Sequence, residues 1–484
     1  MRACRGRVAR RHLHTYTDPV LTGSADYHNN PPRRDVPTKY DLCSRLTSCS
    51  NTLSPHLGRQ THTQVVKYGH EPNLFIACAL VGMYSGFGAV CDARKVFDTS
   101  QNRDEVIWTA MMRGLAHNGF GREAILLFKN MLGLDVRPNC VTYVCALSAC
   151  TLLGCTFELA TLLHAHVVKL GFGVNCFLTC ALVDCYSKCG RVDLARLLFL
   201  AATERDNVLV NSMISGYSQN GCGVEALRFF IEMRNGYFSP TDHTLPSILN
   251  ACGSLSLLEQ GTQVHSLIIK MGTESNMFSV STLIDMYSKC SATDKARQVF
   301  NEAINKNSVA WTSMVTGYAY SGQGIDALEL FDRMIAAGFT PDHICFTSVL
   351  VACNHTGLFD KGIEYFNKMR DYRLQPELDQ YACLVDLYAR NGKLRKAMEI
   401  IETMPCRANA VILSSFLGSC KVYGEVELGK EAAHRLFEME PNNAAHYLTL
   451  ASIYLQAGLP SEAARIRKLM NQKAIKMTRG RSWL

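Results

Sequence analysis

Glycines in the pattern Gly-x-Gly-x-x-Ala are the first residues in this 484-residue sequence whose spacing could serve chemistry, and they begin at Gly119, Gly221 and Gly322. The pattern imitates a dinucleotide-binding turn. That turn needs a preceding β-strand, so that it can present a helix N-terminus to a pyrophosphate. A helical pattern precedes each of these glycines instead. We therefore predict no nucleotide site and no cofactor.

Histidines and cysteines form a second group, because both can hold a metal ion. The histidines are His62, His164, His166 and His265. The cysteine pairs are Cys176 with Cys180 and Cys185 with Cys189. Apart from one adjacent pair, the histidines fall in separate repeats and cannot converge. The cysteines are one helical turn apart, yet no further Cys or His spacing completes a zinc site. We predict structural histidines, packed thiols and no metal.

A zinc deaminase needs a His-x-Glu motif, in which the Glu moves protons, and a Cys-x-x-Cys that helps to hold the metal. Neither motif occurs in the sequence. We therefore predict that the chain is not an enzyme and has no catalytic residues.

Helices must position any site in this chain, because its apolar residues recur with helical spacing. A first stripe follows the i, i+3, i+4, i+7 pattern, and a second follows after two turn glycines. The first stripe is Trp311, Met314, Val315 and Tyr318, and the second is Ala327, Phe331 and Met334. The stretch 308–342 is therefore predicted to be a helical hairpin, with a helix A and a helix B.

The same hairpin begins at Glu105 and Asn207, so the three copies that start at 105, 207 and 308 are spaced 102 and 101 residues apart. Longer and shorter variants lie between them, in the cycling order long, short, standard. The predicted repeats are 39–73, 74–104, 105–139, 140–175, 176–206, 207–241, 242–276, 277–307, 308–342, 343–377 and 378–409. One extra residue precedes His164, which could shift its helix, and Ser291 replaces a turn glycine.

Units of 31 to 36 residues cannot bury a stripe alone and must stack on their neighbours. We predict an all-α fold, a right-handed α-solenoid superhelix of helix-turn-helix repeats. The content of 48% hydrophobic and 19% charged residues fits packed helices. No apolar run is long enough to span a membrane. The net charge of +8 permits an anionic partner. The 21 cysteines include no Cys-x-x-Cys, and reduced thiols are favoured over disulfides.

The flanking segments differ from the repeats. Residues 1–38 are rich in arginine and carry no acidic residue before Asp18, which is typical of an organelle transit peptide. Scarce serine favours the mitochondrion over the chloroplast, while a disordered basic arm or a broken repeat stays open as an alternative. Residues 410–484 change pattern but remain helical, and resemble two tetratricopeptide-like units that cap the solenoid.

The cycling repeats and the phrases Ala181–Gly190 and Trp311–Met314 resemble a plant organellar pentatricopeptide repeat protein of the PLS class with a C-terminal E domain. The resemblance covers residues 39–484. A DYW deaminase domain often follows in that family, whereas this sequence ends at Leu484. The usual Pro-Gly-Cys-Ser-Trp reads Arg-Gly-Arg-Ser-Trp at 479–483, with two departures.

The resemblance implies binding of single-stranded RNA, one nucleotide per repeat, with the N-terminal repeats toward the 5′ end. Bases splayed on a row of helices can be read by polar side chains. The fifth and last residues of a repeat select the base. They are Thr109 with Asn139 for adenine, Asn211 with Thr241 for a pyrimidine, Ser281 with Asn307 for adenine, and Thr312 with Asp342 for guanine. From the repeat at Glu105 the pattern is A, two unread, pyrimidine, unread, A, G.

The second residue of a repeat is expected to stack on the bases, which requires no sequence choice. These residues are Val106, Phe177, Val208, Phe278, Val309 and Ile344. Ordinary helix packing is the alternative explanation for each of them taken alone.

The function predicted from the resemblance is recognition of a site for organellar C-to-U RNA editing, with a deaminase recruited in trans. Three other hypotheses stay open: transcript stabilisation or splicing, a peptide-binding helical scaffold, and a truncated, non-functional relative. The expected location is the mitochondrion, with the chloroplast possible, and no membrane association is expected.

Overall fold

Helical hairpins make up the computed structural model over the residues that it describes, which are 37–154, 156–172, 175–234, 238–273 and 276–472. These residues form 26 α-helices and no β-strand. The predicted all-α fold class, a solenoid of helix-turn-helix repeats, is confirmed. Residues 1–36 of the predicted transit peptide lie outside the described residues. The motif at 479–483, which differs from the usual family motif at two positions, also lies outside them.

The structure divides into two units, residues 1–239 and 240–484, which are described separately. The first unit contains α1 Lys39–Asn51, α2 Pro55–Lys67, α3 Leu74–Gly86, α4 Val90–Thr99, α5 Glu105–His117, α6 Gly121–Gly133, α7 Cys140–Leu152, α8 Phe157–Lys169, α9 Cys176–Lys188, α10 Val192–Ala201, α11 Asn207–Gln219 and α12 Gly223–Arg234. Odd-numbered helices are the A helices of the hairpins, and even-numbered helices are the B helices.

The second unit continues the alternation of A and B helices. It contains α13 Thr244–Ser254, α14 Leu258–Lys270, α15 Met277–Lys289, α16 Thr293–Glu302, α17 Ser308–Tyr320, α18 Gly324–Ala336, α19 His343–Thr356, α20 Phe359–Lys368, α21 Leu378–Arg390, α22 Leu394–Thr403, α23 Ala410–Tyr423, α24 Val426–Met439, α25 Ala444–Gln456 and α26 Pro460–Gln472. The last four helices belong to the segment 410–484 that we predicted to be tetratricopeptide-like.

Within each unit, every helix A packs against the helix A of the next repeat. Each helix B packs against the helix A of its own repeat. Where another repeat follows in the same unit, it also packs against the helix A of that repeat. The A helices therefore form a continuous row, which the B helices cover on one side. The opposite side of the row is left for the residues that could contact a ligand.

The two apolar stripes form the core, as their spacing predicts. Trp108 and Trp311 on helix A are buried, and so are Phe128 and Phe331 on helix B. The Trp108 ring meets Phe97 of the preceding repeat edge to face, with the ring centroids 5.0 Å apart. An aromatic contact of this geometry adds about 0.5–1.5 kcal/mol to the burial of the rings.

A glycine in helix A lets the row close tightly. A Cβ placed on Gly114 would lie only 2.1 Å from Ser85 Oγ of the preceding helix A, so no larger residue fits there without a shift of the backbone. Gly216 and Ser187 repeat the arrangement one cycle later. The side chain of Asn118 then bridges the two helices, because its Nδ2 donates to the carbonyl oxygens of Ser85 and Gly114.

Histidine–tyrosine pairs join three long repeats to the short repeats that follow them. The long repeats are 39–73, 140–175 and 242–276. The Nδ1 atoms of His62, His164 and His265 lie 2.8, 2.9 and 2.9 Å from the hydroxyls of three tyrosines. The partner hydroxyls belong to Tyr84, Tyr186 and Tyr287. The extra residue before His164 therefore does not shift its register. These histidines are structural, as predicted, and His166 likewise pairs with Tyr143 at 3.0 Å.

The cysteines are mostly free thiols, as predicted. Eighteen described cysteines are free, but Cys189 is disulfide-bonded, which corrects the prediction of reduced thiols at that residue. Cys189 is the C-cap of α9, so its side chain lies at the end of the helix rather than in the core.

Ser291 provides a first test of the fold. It has a φ of +56°, a left-handed conformation that its counterparts Gly88, Gly190 and Gly392 adopt without a side chain. A non-glycine residue in this conformation costs about 1–2 kcal/mol, so Ser291→Gly should raise the free energy of unfolding by about 1 kcal/mol. Urea unfolding followed by circular dichroism measures the change. Gly190→Ser is the matched control and should lower stability by a similar amount; equal midpoints for all three proteins would contradict the explanation.

The histidine–tyrosine pairs predict a dependence of stability on pH. Burial lowers the pKa of His62, His164 and His265 below the usual 6.5. The unfolded chain therefore binds more protons in this range, so these groups destabilise the fold as pH falls below about 6.5. The urea midpoint of the wild type should fall more between pH 8 and pH 5 than that of the triple variant His62→Asn, His164→Asn, His265→Asn. Identical slopes would show that the pairs do not titrate with folding.

Candidate nucleic-acid interface

Three positions of each repeat are candidates for contact with a ligand. They are the second residue, the fifth residue and the last residue of the repeat. We call the fifth and last residues the reading pair. The second and fifth residues share a helix face at i and i+3, while the last residue arrives from the far end of helix B.

The second residues are exposed. Val106 is 52% exposed, Phe278 57% and Ile344 63%. All six predicted stacking residues are exposed to a similar degree: Val106, Phe177, Val208, Phe278, Val309 and Ile344. Ordinary helix packing therefore does not account for these apolar side chains. Sequence reasoning missed Tyr40, Phe75, Val141 and Val411, which are exposed at the same position of their repeats, although the shared position was a sufficient signal.

Except in the repeat 207–241, where His243 is the N-cap of α13, the last residue of a repeat is also the N-cap of the next helix A. Its side-chain oxygen accepts a hydrogen bond from a backbone N–H of the first turn, which would otherwise lack a partner. The residues with this cap are Asn73, Asp104, Asn139, Asn175, Asp206, Asn276, Asn307, Asp342, Asn409 and Asn443. The cap holds one oxygen of the side chain in place and thereby orients the remaining polar group.

The remaining group differs between the two residue types. An asparagine that caps through Oδ1 leaves its NH₂ group, which only donates hydrogen bonds. An aspartate that caps through one oxygen leaves the other oxygen, which only accepts. Asn307 Oδ1 accepts from Ala310 N at 2.8 Å, and Asp342 Oδ1 accepts from Cys345 N at 2.8 Å. The same cap therefore presents opposite hydrogen-bonding character in consecutive repeats.

The repeat 105–139 shows a connected reading pair. Thr142, the third residue of the next repeat, lies 2.8 Å from Thr109 Oγ1 and 3.0 Å from Asn139 Oδ1 through its own hydroxyl. The Thr142 N–H also donates to Asn139 Oδ1, at 2.9 Å. Since this oxygen accepts two hydrogen bonds, Asn139 is fixed with its NH₂ group turned away from the cap. The sequence did not indicate Thr142.

The repeat 308–342 places Cys345 where the earlier repeat has Thr142. Thr312 is 6% exposed, and its buried hydroxyl interacts with the Cys345 side chain. Burial, and then the charge of Asp342, raises the pKa of the Cys345 thiol to about 12, so the thiol stays neutral.

The two remaining predicted pairs are less connected. Ser281 is buried, and its hydroxyl donates to the Met277 carbonyl oxygen at 3.0 Å, while Asn307 caps α17. Asn211 belongs to the first unit and Thr241 to the second. The structure therefore does not test that pair. The Thr241 hydroxyl lies 3.1 Å from Thr244 Oγ1, the counterpart of Thr142.

One polar reading pair lies in a long repeat that sequence reasoning left unread. Thr347 and Glu377 are the fifth and last residues of 343–377. Gln380, the third residue of the next repeat, is buried and donates to Thr347 Oγ1 at 2.7 Å. Its Oε1 accepts from the Glu377 N–H at 2.8 Å. The position in the repeat was the available signal, and the connection through Gln380 appears only in the structure.

Cations occur along the same stripe as the fifth residue. Lys188, Lys289 and Arg390 lie eight residues after the fifth residue of their repeats, two turns further along helix A. Each pairs with an aspartate four residues earlier, and the Lys188–Asp184 distance is 2.6 Å. A lysine has three donors, so one ion pair leaves donors for an anion.

No helix of the described residues has the length and apolar character that crossing a bilayer requires. Fold and site together define a class: an α-helical repeat protein in which most repeats offer one exposed apolar side chain, in several of them beside a polar reading pair.

Comparison with known families identifies the chain within this class. The profile of the PPR repeat family matches residues 103–151, 205–254 and 306–355, and the PPR repeat profile matches 179–205, 278–308, 344–374 and 381–407. The E motif matches residues 423–484. The chain belongs to the pentatricopeptide repeat family.

Relatives in Arabidopsis thaliana agree with this assignment. The chloroplastic pentatricopeptide repeat-containing protein CRR2 is 35% identical over 448 residues, covering 91% of this chain and 67% of the relative. A mitochondrial pentatricopeptide repeat-containing protein is 35% identical over 449 residues, covering 91% and 68%. Another relative is 38% identical but is covered over only 61% of its length, so part of these longer proteins has no counterpart here.

Solved structures support the fold. The maize pentatricopeptide repeat protein PPR10 superposes with a TM-score of 0.55 at 21% identity, over 91% of this chain and 70% of that one. PPR10 in complex with an 18-nt psaJ RNA element gives a TM-score of 0.55 at 16% identity, over 90% of this chain and 74% of that one. At these identities the similarity concerns the fold.

Proposed function

We propose that this protein binds single-stranded RNA with one nucleotide per repeat and selects a site for C-to-U editing in an organelle. The observation that carries the RNA-binding proposal is the repeated geometry. Every repeat from 39 to 377 has a second residue that is exposed, and nine of these ten residues are hydrophobic, the exception being His243. An apolar platform beside a polar pair suits a splayed base, which stacks by its face and is read by its edge.

The caps supply a physical basis for base selection. The pairing edge of adenine has an acceptor nitrogen next to an amino donor, and the NH₂ group of Asn139 or Asn307 matches that acceptor. The edge of guanine has two adjacent donors, which match the free oxygen of Asp342. The predicted pattern, A at 105–139, A at 277–307 and G at 308–342, is consistent with these donors and acceptors.

The cations suit the phosphate backbone. Lys188, Lys289 and Arg390 stand on the stripe that carries the fifth residues, so a strand whose bases reach the reading pairs passes close to them. Phosphate contacts contribute affinity without sequence choice and make binding sensitive to salt.

The editing role rests on the E motif at 423–484 and on the sequence itself. Because the sequence has no His-x-Glu or Cys-x-x-Cys, we propose that it is not an enzyme and that a deaminase acts in trans. The segment 410–484 exposes Val422, whose side chain is available to a partner. Mitochondrial and chloroplastic names among the relatives support an organelle, and the arginine-rich start favours the mitochondrion.

Base preference at the repeat 308–342 tests RNA binding. Asp342→Asn keeps the N-cap but exchanges an acceptor for a donor, so it should leave the thermal midpoint unchanged and move the preference from guanine to adenine, each by about tenfold in Kd. Fluorescence anisotropy with single-stranded RNAs that carry the predicted pattern, with G, A or U at this position, measures the shift. Thr312→Asn should favour uridine in the same assay. An Asp342→Asn protein with unaltered preference, or a wild type that ignores RNA, would contradict the proposal.

Editing is tested by sequencing organelle transcripts from a plant line that lacks this protein. The expected result is one unedited cytidine, a few nucleotides 3′ of the base held by the repeat 378–409, in a transcript that carries the predicted pattern upstream. Complementation with the wild-type gene should restore editing, whereas complementation with Asp342→Asn should not. Normal editing together with a shortened or unspliced transcript would instead support a role in RNA stability or splicing.

A further inference from the structure

Two thiols and a carboxylate converge at the reading pair of the repeat 176–206. Cys176 and Cys180 lie one turn apart on α9, and Asp206 is the last residue of the repeat. One ligand atom from each residue lies within 4.8 Å of the other two. Within the described residues, no second group of three His, Cys, Asp or Glu side chains comes this close. Sequence reasoning considered only Cys and His as third partners and therefore missed Asp206.

The fold holds the three groups in place without a metal ion. Helices α9 and α11 pack side by side. Asp206 caps α11, and its Oδ1 accepts from Leu209 N at 2.8 Å. The cap uses Oδ1 of Asp206, and one carboxylate oxygen of this residue lies within 4.8 Å of both thiol sulfurs. The ligand set is therefore preorganised by a helix cap and by the i, i+4 spacing of one helix.

The chemistry of the three groups favours a cation. Both cysteines are partly exposed and Asp206 is exposed, so an ion can enter from solvent. The Asp206 carboxylate attracts a divalent ion, which displaces the two thiol protons into solvent when it binds.

We propose that Cys176, Cys180 and Asp206 bind a zinc-class divalent cation. Two sulfur ligands exclude Mg²⁺ and Ca²⁺, which prefer oxygen, whereas Zn²⁺ and Cd²⁺ accept thiolates and a carboxylate in tetrahedral geometry. Three protein ligands leave the fourth position to water. The ion would occupy the reading pair of this repeat, because Cys180 and Asp206 are its fifth and last residues. The metal site itself does not depend on the proposed RNA binding.

The chain contains its own comparison for this site. The repeat 74–104 has the same reading pair, Cys78 with Asp104, and burial together with the Asp104 charge raises the pKa of Cys78 to about 11. The residue that corresponds to Cys176 is Leu74. This repeat therefore offers two ligands of the same kind but lacks the third, and it should not hold the ion at the same concentration.

The experiment is a Cd²⁺ titration of the full chain in a non-thiol reductant, followed by the ultraviolet absorption of the thiolate-to-metal charge transfer. Competition with a chromophoric chelator gives the Zn²⁺ affinity. Cys176→Leu reproduces the repeat 74–104 and should lose one tightly bound ion relative to the wild type. Asp206→Asn keeps the helix cap and should weaken binding by at least about tenfold, since even a residue beyond the ligands contributes that much. Cys78→Ser should bind like the wild type.

Circular dichroism of each variant verifies that it is folded, so a lost ion reports the site rather than unfolding. Equal stoichiometry and affinity for the wild type and Cys176→Leu would mean adventitious binding to the many other cysteines and would overturn the proposal. A loss caused equally by Cys78→Ser and Cys176→Leu would overturn it as well. The titration contains no RNA, so its failure is distinguishable from a failure of the proposed RNA binding.

Discussion

The hydrogen bond from a backbone N–H to the last side chain of the preceding repeat is the interaction on which this structure depends. Every helix A begins with N–H groups that have no partner within the helix, and in ten helices an Asn or Asp at the repeat boundary satisfies one or two of them. The bond ends one repeat, starts the next and fixes the orientation of a polar group beside the fifth residue. Stability and the candidate recognition chemistry therefore reside in one side chain.

This double role limits what the position can contain. A residue that reads a ligand must also cap a helix, and Asn and Asp are among the best residues for capping. The choice between them changes stability little, because both cap through Oδ1, but it exchanges a donor for an acceptor on the exposed side. Under the proposed RNA binding, an exchange of Asn and Asp at one repeat changes the base preference without loss of the packing that holds the row together.

The neighbours of the reading pair add a second level of variation. Thr142, Cys345 and Gln380 occupy the same place in three repeats, yet each contacts the pair through a different chemical group. In the repeat 176–206 the pair lies beside Cys176, and the three residues form the proposed metal ligand set. Contacts such as Gly114 with Ser85 and His62 with Tyr84 fix how neighbouring repeats pack. The differences at the reading pairs therefore stay confined to single repeats.

The sequence by itself determined the all-α repeat fold and the buried stripes, because helical periodicity and a repeated turn are local properties that can be read along the chain. The place of the reading pair came from the resemblance to the pentatricopeptide repeat family. The sequence also indicated the second residues as candidates for base stacking, although only the structure showed that these side chains are exposed rather than packed. The partners of the reading pairs, the register of His164, the left-handed Ser291 and the approach of Asp206 to two thiols were decided by the tertiary structure. Each of these depends on which side chain of one repeat meets which side chain of the next, and that distance is set by helix packing rather than by spacing along the chain.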